Sequence, residues 1–505
     1  LFGSVNSAFI KGIGAVIVRV EADISNGLPM FEMVGDLSPQ VREARERVRT
    51  AIKNSDIDLE VRKTVINICP ADVHKQGSSM DLAIAMAILA GQGAISSSRL
   101  SDTLFVGELS LEGSINGIKG TLAILMAAKE MGFKNCFIPR ANEEEGRVVD
   151  GITIYAVDTL KEVFDFLTEK TKLSPIEYID FWEEGRLDRQ EDFADLSGQE
   201  TLRRACEIAA AGMHNILFIG PPGSGKTMAA KRIPGILPSI SKKECLEISS
   251  LYSVNGMLTM GGLITRRPFR EVHHTATKTA ITGGAYTIGE VTLADKGVLF
   301  LDEFPEFSRE VIETLREPME SGRVAITRSN IREEYPAGFM LVAAMNPCKC
   351  GFYPDLNKCR CTETEIRRYL SKVSGPIMDR IDICTESSPV EYKDIKSLGG
   401  GEDSATIRKR VEAAHEIQKK RFGKYNYSFN SFMPVGHVKK FCPLDKECDR
   451  YMEMAFEKLE LSARTYNKTL KVSRTIADLA GSESIQLCHI KEALMYRGMD
   501  KKYRG

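Results

Sequence analysis

At 505 residues the chain is too long for one hydrophobic core, and the usual domain size predicts roughly three domains. Its 68 Lys and Arg nearly balance its 69 Asp and Glu, which excludes a global field drawing the protein to nucleic acid or membrane and leaves any DNA contact to local patches. The longest apolar run, 80–91 with only Asp81 polar, is too short to span a bilayer, and Lys11 interrupts the N-terminal apolar stretch, so no membrane association and a cytoplasmic location are expected.

From 1 to 167, short apolar runs at 15–20, 64–68, 103–106 and 135–138 mix with helical patterns at 39–53, 81–90 and 121–131, which predicts an α+β domain. The Arg- and Glu-rich pattern from Val41 to Arg49 reads as a helix with a solvated face. Residues 168–192 turn acidic and lose periodicity, with Ser174-Pro175 as a breaker, and read as a linker. Residues 193–390 alternate strands and helices. The strands at 215–219, 297–301 and 338–344 are nearly all apolar, as strands buried on both faces are, so an α/β domain with a parallel sheet is expected. A Gly-rich segment at 391–404 reads as a second linker, and 405–505 as an all-α domain with helices at 405–422, 445–461, 473–480 and 488–497.

The run Gly220-Pro221-Pro222-Gly223-Ser224-Gly225-Lys226-Thr227 follows one of those strands and opens a helix, the arrangement of a phosphate-binding P-loop. Lys226 is expected to neutralise the β/γ-phosphates of ATP, and Thr227 to hold Mg²⁺. The strand before Asp302 and Glu303 delivers two carboxylates. Asp302 can complete the Mg²⁺ shell and Glu303 can polarise an attacking water, which argues for hydrolysis as well as binding. Asn346 follows the third buried strand; its amide could orient that water, while Asn346-Pro347 is equally compatible with a plain turn.

Of 12 cysteines, eight are scattered and fit buried thiols in a reducing compartment. Cys348, Cys350, Cys359 and Cys361 instead cluster as C-x-C-x8-C-x-C. They can close a tetrahedral Zn²⁺ site or remain four reduced loop cysteines, the C-x-C spacing being tighter than the usual C-x2-C. The seven histidines show no ligand spacing, and His273-His274 reads as structural. Arg266, Arg267, Arg270 and Lys278 in the insertion at 256–290, and the basic helix from Arg408 to Arg421, are possible phosphate contacts, although such charges are more often solvated. No sequence-reading motif such as a helix-turn-helix stands out.

The P-loop, the Val298-Leu299-Phe300-Leu301-Asp302-Glu303 run, Ala344-Met345-Asn346-Pro347 and Gly375-Pro376-Ile377-Met378-Asp379-Arg380-Ile381-Asp382 together resemble AAA+ ATPases of the magnesium-chelatase branch. Within that branch the chain resembles the YifB family, whose competence-protein members act on DNA during natural transformation. The resemblance implies a sensor-1 role for Asn346 and an arginine finger at Arg380, which stabilises transition-state charge in a neighbouring subunit. It also implies a sensor-2 role for Arg474 in a helical lid, with Arg464 as the weaker candidate, and a closed homo-oligomeric ring, most simply a hexamer. Residues 322–328 resemble the branch's pore hairpin, where Arg323 and Arg328 would meet DNA phosphates without reading sequence.

Residues 1–167 resemble the proteolytic domain of Lon-type proteases, clearest at Lys75-Gln76-Gly77-Ser78-Ser79-Met80-Asp81 and Gly107-Glu108-Leu109-Ser110-Leu111-Glu112-Gly113. Ser79 matches the nucleophile, but Leu122 stands where the family carries its lysine base and Lys119 is out of register, so an inactive domain is expected. The function so implied is an ATP-driven motor on single-stranded or branched DNA, a helicase or branch-migration factor of recombination. The alternatives are a magnesium-chelatase-type motor remodelling a protein partner, against which the fused N-terminal domain argues, and an ATP-dependent protease.

Overall fold

A computed structural model describes the backbone of residues 1–58, 62–96, 99–180, 191–196, 198–258, 263–284, 287–328, 331–389 and 401–502, and the side chains of these except 327–328, 331–332 and 498–502. Most of the expected second linker, 391–404, and residues 181–190 of the first lie outside the described residues. The chain divides into two compact units, Leu1–Arg186 with Lys242–Thr265, and Leu187–Ser241 with Arg266–Gly505. No described helix is long and apolar enough to cross a membrane.

In the first unit, strands β1 (Phe2–Lys11), β2 (Gly14–Ser25), β3 (Phe31–Val34), β4 (Lys63–Cys69), β5 (Thr103–Phe105), β8 (Asn135–Pro139) and β9 (Thr153–Val157) form a mixed sheet in the order β3-β4-β2-β1-β5-β8-β9. The short strands β6 (Glu108–Leu109) and β7 (Ile115–Asn116) pair separately. The helix Asp81–Gly91 is apolar on every side after its first residue and is buried along its whole length, as such a helix must be. The helix Pro39–Asn54 starts at a Ser38 cap and buries Val41, Ala44, Val48, Ala51 and Ile52 at helical spacing. Its Arg42, Glu43, Arg45, Glu46 and Arg49 stay exposed, the solvated face its charge pattern predicts.

The segment Lys242–Thr265 belongs to this unit although it lies within the P-loop region of the sequence. Its helix Lys242–Val254 gives the Ser253 carbonyl to the Gly120 N–H at 3.1 Å, and Leu246, Leu258 and Leu263 pack on the cluster around Leu104, Leu122 and Leu125.

In the second unit β10 (Ile216–Ile219), β11 (Phe269–Val272), β12 (Val298–Leu301), β15 (Met340–Met345) and β16 (Ile383–Glu386) form a wholly parallel sheet in the order β11-β12-β15-β10-β16. Every residue of β10, β12 and β15 is buried, which is the double-sided burial their composition predicts. Because the strands run the same way, their carboxyl ends lie along one edge. Strands β13 (Arg323–Arg328) and β14 (Ile331–Pro336) form an antiparallel hairpin between β12 and β15 in sequence.

From Ser404 onward the described regular elements are all helical, with α-helices at Ser404–Phe422, Val435–Phe441, Lys446–Lys458, Ala463–Leu479 and Leu487–Lys502. The helix expected at 473–480 begins ten residues earlier, at Ala463, where the Ser462 hydroxyl caps it by accepting from the Thr465 N–H. The polar run 463–469 hides the start because Thr465 and Thr469 are buried polar residues, so the apolar periodicity is interrupted there.

Candidate nucleotide site and cysteine cluster

Three strand ends bring the sequence-predicted residues together. β10 runs into the P-loop, whose Gly223 and Gly225 adopt φ of +75° and +84°, conformations a side chain disfavours. The helix Lys226–Ile236 then starts, presenting unsatisfied N–H groups suited to phosphate oxygens. β15 lies beside β10 with Ile219 opposite Met345, so Asn346 emerges next to the loop, and β12 lies on the far side of β15.

Lys226 is buried, and its Nζ donates to the carbonyls of Gly220 at 2.7 Å and Pro221 at 2.8 Å and to Asn346 Oδ1 at 3.3 Å. Burial brings its ammonium down to about 8, opposed by the charge of Asp302. The Thr227 hydroxyl donates to Asp302 Oδ2 at 2.7 Å. A hydroxyl and a carboxylate in contact beside a phosphate loop are the hard oxygen donors that suit Mg²⁺, an ion that keeps several waters.

Glu303 projects outward in a left-handed backbone conformation (φ +51°), with its N–H on Asp302 Oδ1 at 2.8 Å. That geometry separates the two adjacent carboxylates. His274, read from sequence as structural, follows β11 with Nδ1 3.4 Å from Glu303 Oε2. Sequence carried no signal for this contact, because it depends on β11 being the neighbour of β12.

Arg380 and Arg474 are both buried, but in different places. Arg380 donates to the Pro376 and Arg316 carbonyls at 2.7 and 3.2 Å and pairs with Glu320, whose carboxylate also takes Arg464. Burial pushes Glu320 up, but the two arginines outweigh it and hold its carboxyl below the ordinary range. Arg474 spends its guanidinium within the C-terminal helices, on Asp478 at 3.1 Å and the carbonyls of Ser482 and Glu483 at 2.5 and 2.9 Å. These contacts do not bring it to the P-loop. Arg464, one helix face away, shares its carboxylate with Arg380 instead.

At the foot of the sheet Asp382 is buried and accepts the Asn215 N–H at 2.9 Å and the Lys468 Nζ at 2.6 Å. Lys468 also donates to the Arg380 carbonyl at 2.6 Å. This network, which sequence reasoning missed, ties the helix Ala463–Leu479 to the backbone of Arg380.

The four clustered cysteines converge, with all four sulfurs within 4.8 Å of one another. The distances among Cys348, Cys350 and Cys359 are 3.4, 3.8 and 3.6 Å, against roughly 3.8 Å for the edge of a tetrahedron with metal–sulfur bonds of about 2.3 Å. The set therefore fits a four-sulfur ion such as Zn²⁺.

The DNA candidates separate. Arg323 is exposed on β13 and pairs across the hairpin with Glu334 at 3.1 Å. Arg328 lies on the same strand, and its side chain is outside the described residues. Arg267 is buried on the carbonyls of Pro238 and Lys296, and Arg270 makes a two-pronged pair with Glu290. In the basic helix, Arg408 caps the Gly235 carbonyl, Arg410 pairs with Glu207 and Glu402, and Arg421 pairs with Asp478. These arginines hold the fold together. In the first unit the Ser79 hydroxyl donates to the Ala8 carbonyl at 2.8 Å, and Leu122 is fully buried.

Family profiles described as magnesium chelatase subunit ChlI match residues 192–395 and 20–142, and one for the C-terminal part of that subunit matches 401–497. The chain is 41% identical over 494 residues to the uncharacterized protein YifB of Escherichia coli K12, covering 97% of this chain and 96% of that one. It is 40% identical over 500 residues to the competence protein ComM of Haemophilus influenzae, with the same shares covered. The chain belongs to the magnesium-chelatase-like AAA+ family of YifB and ComM. A Lon protease of Mesomycoplasma hyopneumoniae is 27% identical over 177 residues, 33% of this chain and 20% of that one, so its similarity reaches only part of the molecule.

Proposed function

We propose that this chain is an ATP-hydrolysing motor that works as a closed ring on DNA, as a helicase or branch-migration factor. The observation that carries the ATPase reading is the meeting of Lys226, Thr227, Asp302 and Asn346 at one sheet edge, with Glu303 beside them. Gly220 to Thr227 would bind the phosphates, and Thr227 and Asp302 would hold Mg²⁺, which neutralises phosphate charge when bound. Glu303 takes the proton of the attacking water, and Asn346 holds that water and the Lys226 ammonium in line. Arg380 serves a neighbouring subunit, with Arg464 in the sensor-2 role beside it in place of Arg474. Zn²⁺ is the proposed occupant of the four-cysteine site.

The DNA substrate is supported by the competence protein among the relatives and by the exposed arginine of the β13–β14 hairpin. A chelatase-type motor that remodels a protein partner is the second reading, favoured by the three chelatase-subunit profiles. Proteolysis is disfavoured by Leu122 in the core and Ser79 on a backbone carbonyl. The deciding experiment is ATP turnover at low salt with and without single-stranded and branched DNA of unrelated sequence, with strand displacement scored in parallel. The expected result is stimulated turnover and displaced strand; turnover and mobility indifferent to DNA would overturn the motor-on-DNA reading and leave the chelatase-type one.

A further inference from the structure

We propose that the four-cysteine loop is a metal-dependent brace of the nucleotide site, so that Zn²⁺ and bound nucleotide raise each other's affinity. This rests on the zinc and ATPase readings above and goes beyond both, because neither requires the two sites to communicate.

The loop meets the nucleotide site at two points. It leaves β15 at Asn346, and the first sulfur ligand, the fully buried Cys348, comes two residues later. Gly351 then passes against the P-loop in a left-handed conformation (φ +87°). A Cβ there would lie 2.6 Å from Pro222 Cδ and 3.0 Å from Cγ, so the metal loop's backbone forms a wall against Pro222. After Cys361 the chain enters the helix Glu363–Leu370 through a Thr362–Glu365 capping box. The loop thus starts at Asn346, whose side chain accepts from Lys226, and its Gly351 backs Pro222.

Short turns shape the loop locally, with the N–H groups of Gly351, Asp355, Lys358 and Cys359 on carbonyls three or four residues back, but no apolar core ties these turns together. Its large apolar residues Phe352 and Leu356 are 41% and 84% exposed and add no core, whereas the four thiols converge at the loop's centre. Where a loop has no core, metal binding supplies the ordering free energy. The ordered loop presents Gly351 to Pro222 and fixes Asn346. Nucleotide, by ordering the P-loop against the same wall, favours the loop shape that gathers the sulfurs. A coupling of this kind must be reciprocal, and its usual size is roughly 5- to 150-fold.

The test measures two affinities on the full chain. Binding of a fluorescent ADP analogue without Mg²⁺ is titrated before zinc is stripped with a zinc-selective chelator, after stripping, and after zinc is restored. Zinc affinity is titrated against a chromogenic chelator with and without ADP. We expect stripping to weaken nucleotide binding about tenfold, zinc to restore it, and ADP to tighten zinc by the same factor. Gly351→Ala, measured zinc-loaded, keeps one zinc per chain and weakens nucleotide binding at least about fivefold, which covers the case in which stripped protein loses its fold. Nucleotide affinity within twofold across the three zinc states, or unchanged in Gly351→Ala, overturns the brace. A chain that binds ADP but no zinc removes the zinc reading and the brace together, and one that binds neither removes the ATPase reading as well.

Discussion

Asp382 gives the most quantitative test of how the second unit is held. Replacing it with Asn keeps its shape, and the new amide oxygen can still accept the Asn215 N–H. The Lys468 ammonium, 17% exposed and bonded to the other carboxylate oxygen, then loses its counter-charge, faces the amide NH2 and keeps only the Arg380 carbonyl. Removing one partner of a buried pair costs about 3–5 kcal/mol, and the residual exposure of Lys468 together with its carbonyl partner places this case at the lower end, about 3 kcal/mol. For a unit of this size that lowers the melting temperature by roughly 5 °C. Lys468→Met alone leaves the carboxylate unpaired and should cost a similar amount. The double variant contains neither charge and should lie within about 1–2 kcal/mol of the parent.

The pH dependence has a definite sign. Burial pushes Asp382 up, but the Lys468 charge, the nearby His214 ring (Nδ1 at 3.6 Å) and the Lys468 hydrogen bond outweigh it and hold its carboxyl well below the usual range. Its contribution to stability is therefore fully present above the unfolded value of about 4 and is lost as pH falls through the folded one. Denaturant titrations should show Asp382→Asn destabilised at pH 7 and the gap to the parent narrowing below about pH 4. Single-variant costs that simply add in the double variant, to within about 0.5 kcal/mol, would refute the reasoning by showing that the two groups do not interact.

Glu303→Gln should bind ATP with an affinity within about twofold of the parent and lose at least about 100-fold in turnover, read by phosphate release; undiminished turnover would assign the base elsewhere. Arg380→Ala should be equally silent alone, yet mixing it with Glu303→Gln should restore activity, because in the proposed ring mixing creates sites with an intact base facing an intact arginine. Absence of restoration would place Arg380 in its own subunit's chemistry. Arg323→Ala should reduce the salt slope of DNA binding by about one phosphate contact, whereas Arg267→Ala should destabilise the fold and leave that slope unchanged. Equal slopes for parent and Arg323→Ala would remove the hairpin from the DNA path.

How much was legible in the sequence depends on how far apart the partners lie. The P-loop, the Asp302-Glu303 pair and the cysteine spacing are each contained in a few residues, and each meets its neighbours because β10, β12 and β15 are buried strands whose composition forces a parallel sheet. The placement of Lys242–Thr265 in the first unit was hidden, since nothing local distinguishes a helix that packs on Leu122 from one that packs on its own sequence neighbours. The contact of His274 with Glu303 was hidden for the same reason: it follows from strand order, not from spacing.

The two arginines of the helix Ala463–Leu479 are held by different partners. Arg474 lies four residues before Asp478, one turn along the helix, and a buried guanidinium takes the nearest carboxylate that desolvation makes strong. Arg421 pairs with the same Asp478, so that carboxylate is shared inside the helical region and Arg474 is committed there. Arg464, ten residues earlier, reaches Glu320, whose other cation among the described residues is Arg380. Two cations held by one partly exposed acid form a loaded pair that a more strongly charged anion can compete for. In the proposed ring a neighbouring subunit's phosphates would be such an anion, and both arginines would then act across the same boundary. On that argument Arg464→Ala should also be restored by mixing with Glu303→Gln, and Arg474→Ala, whose loss is structural, should not.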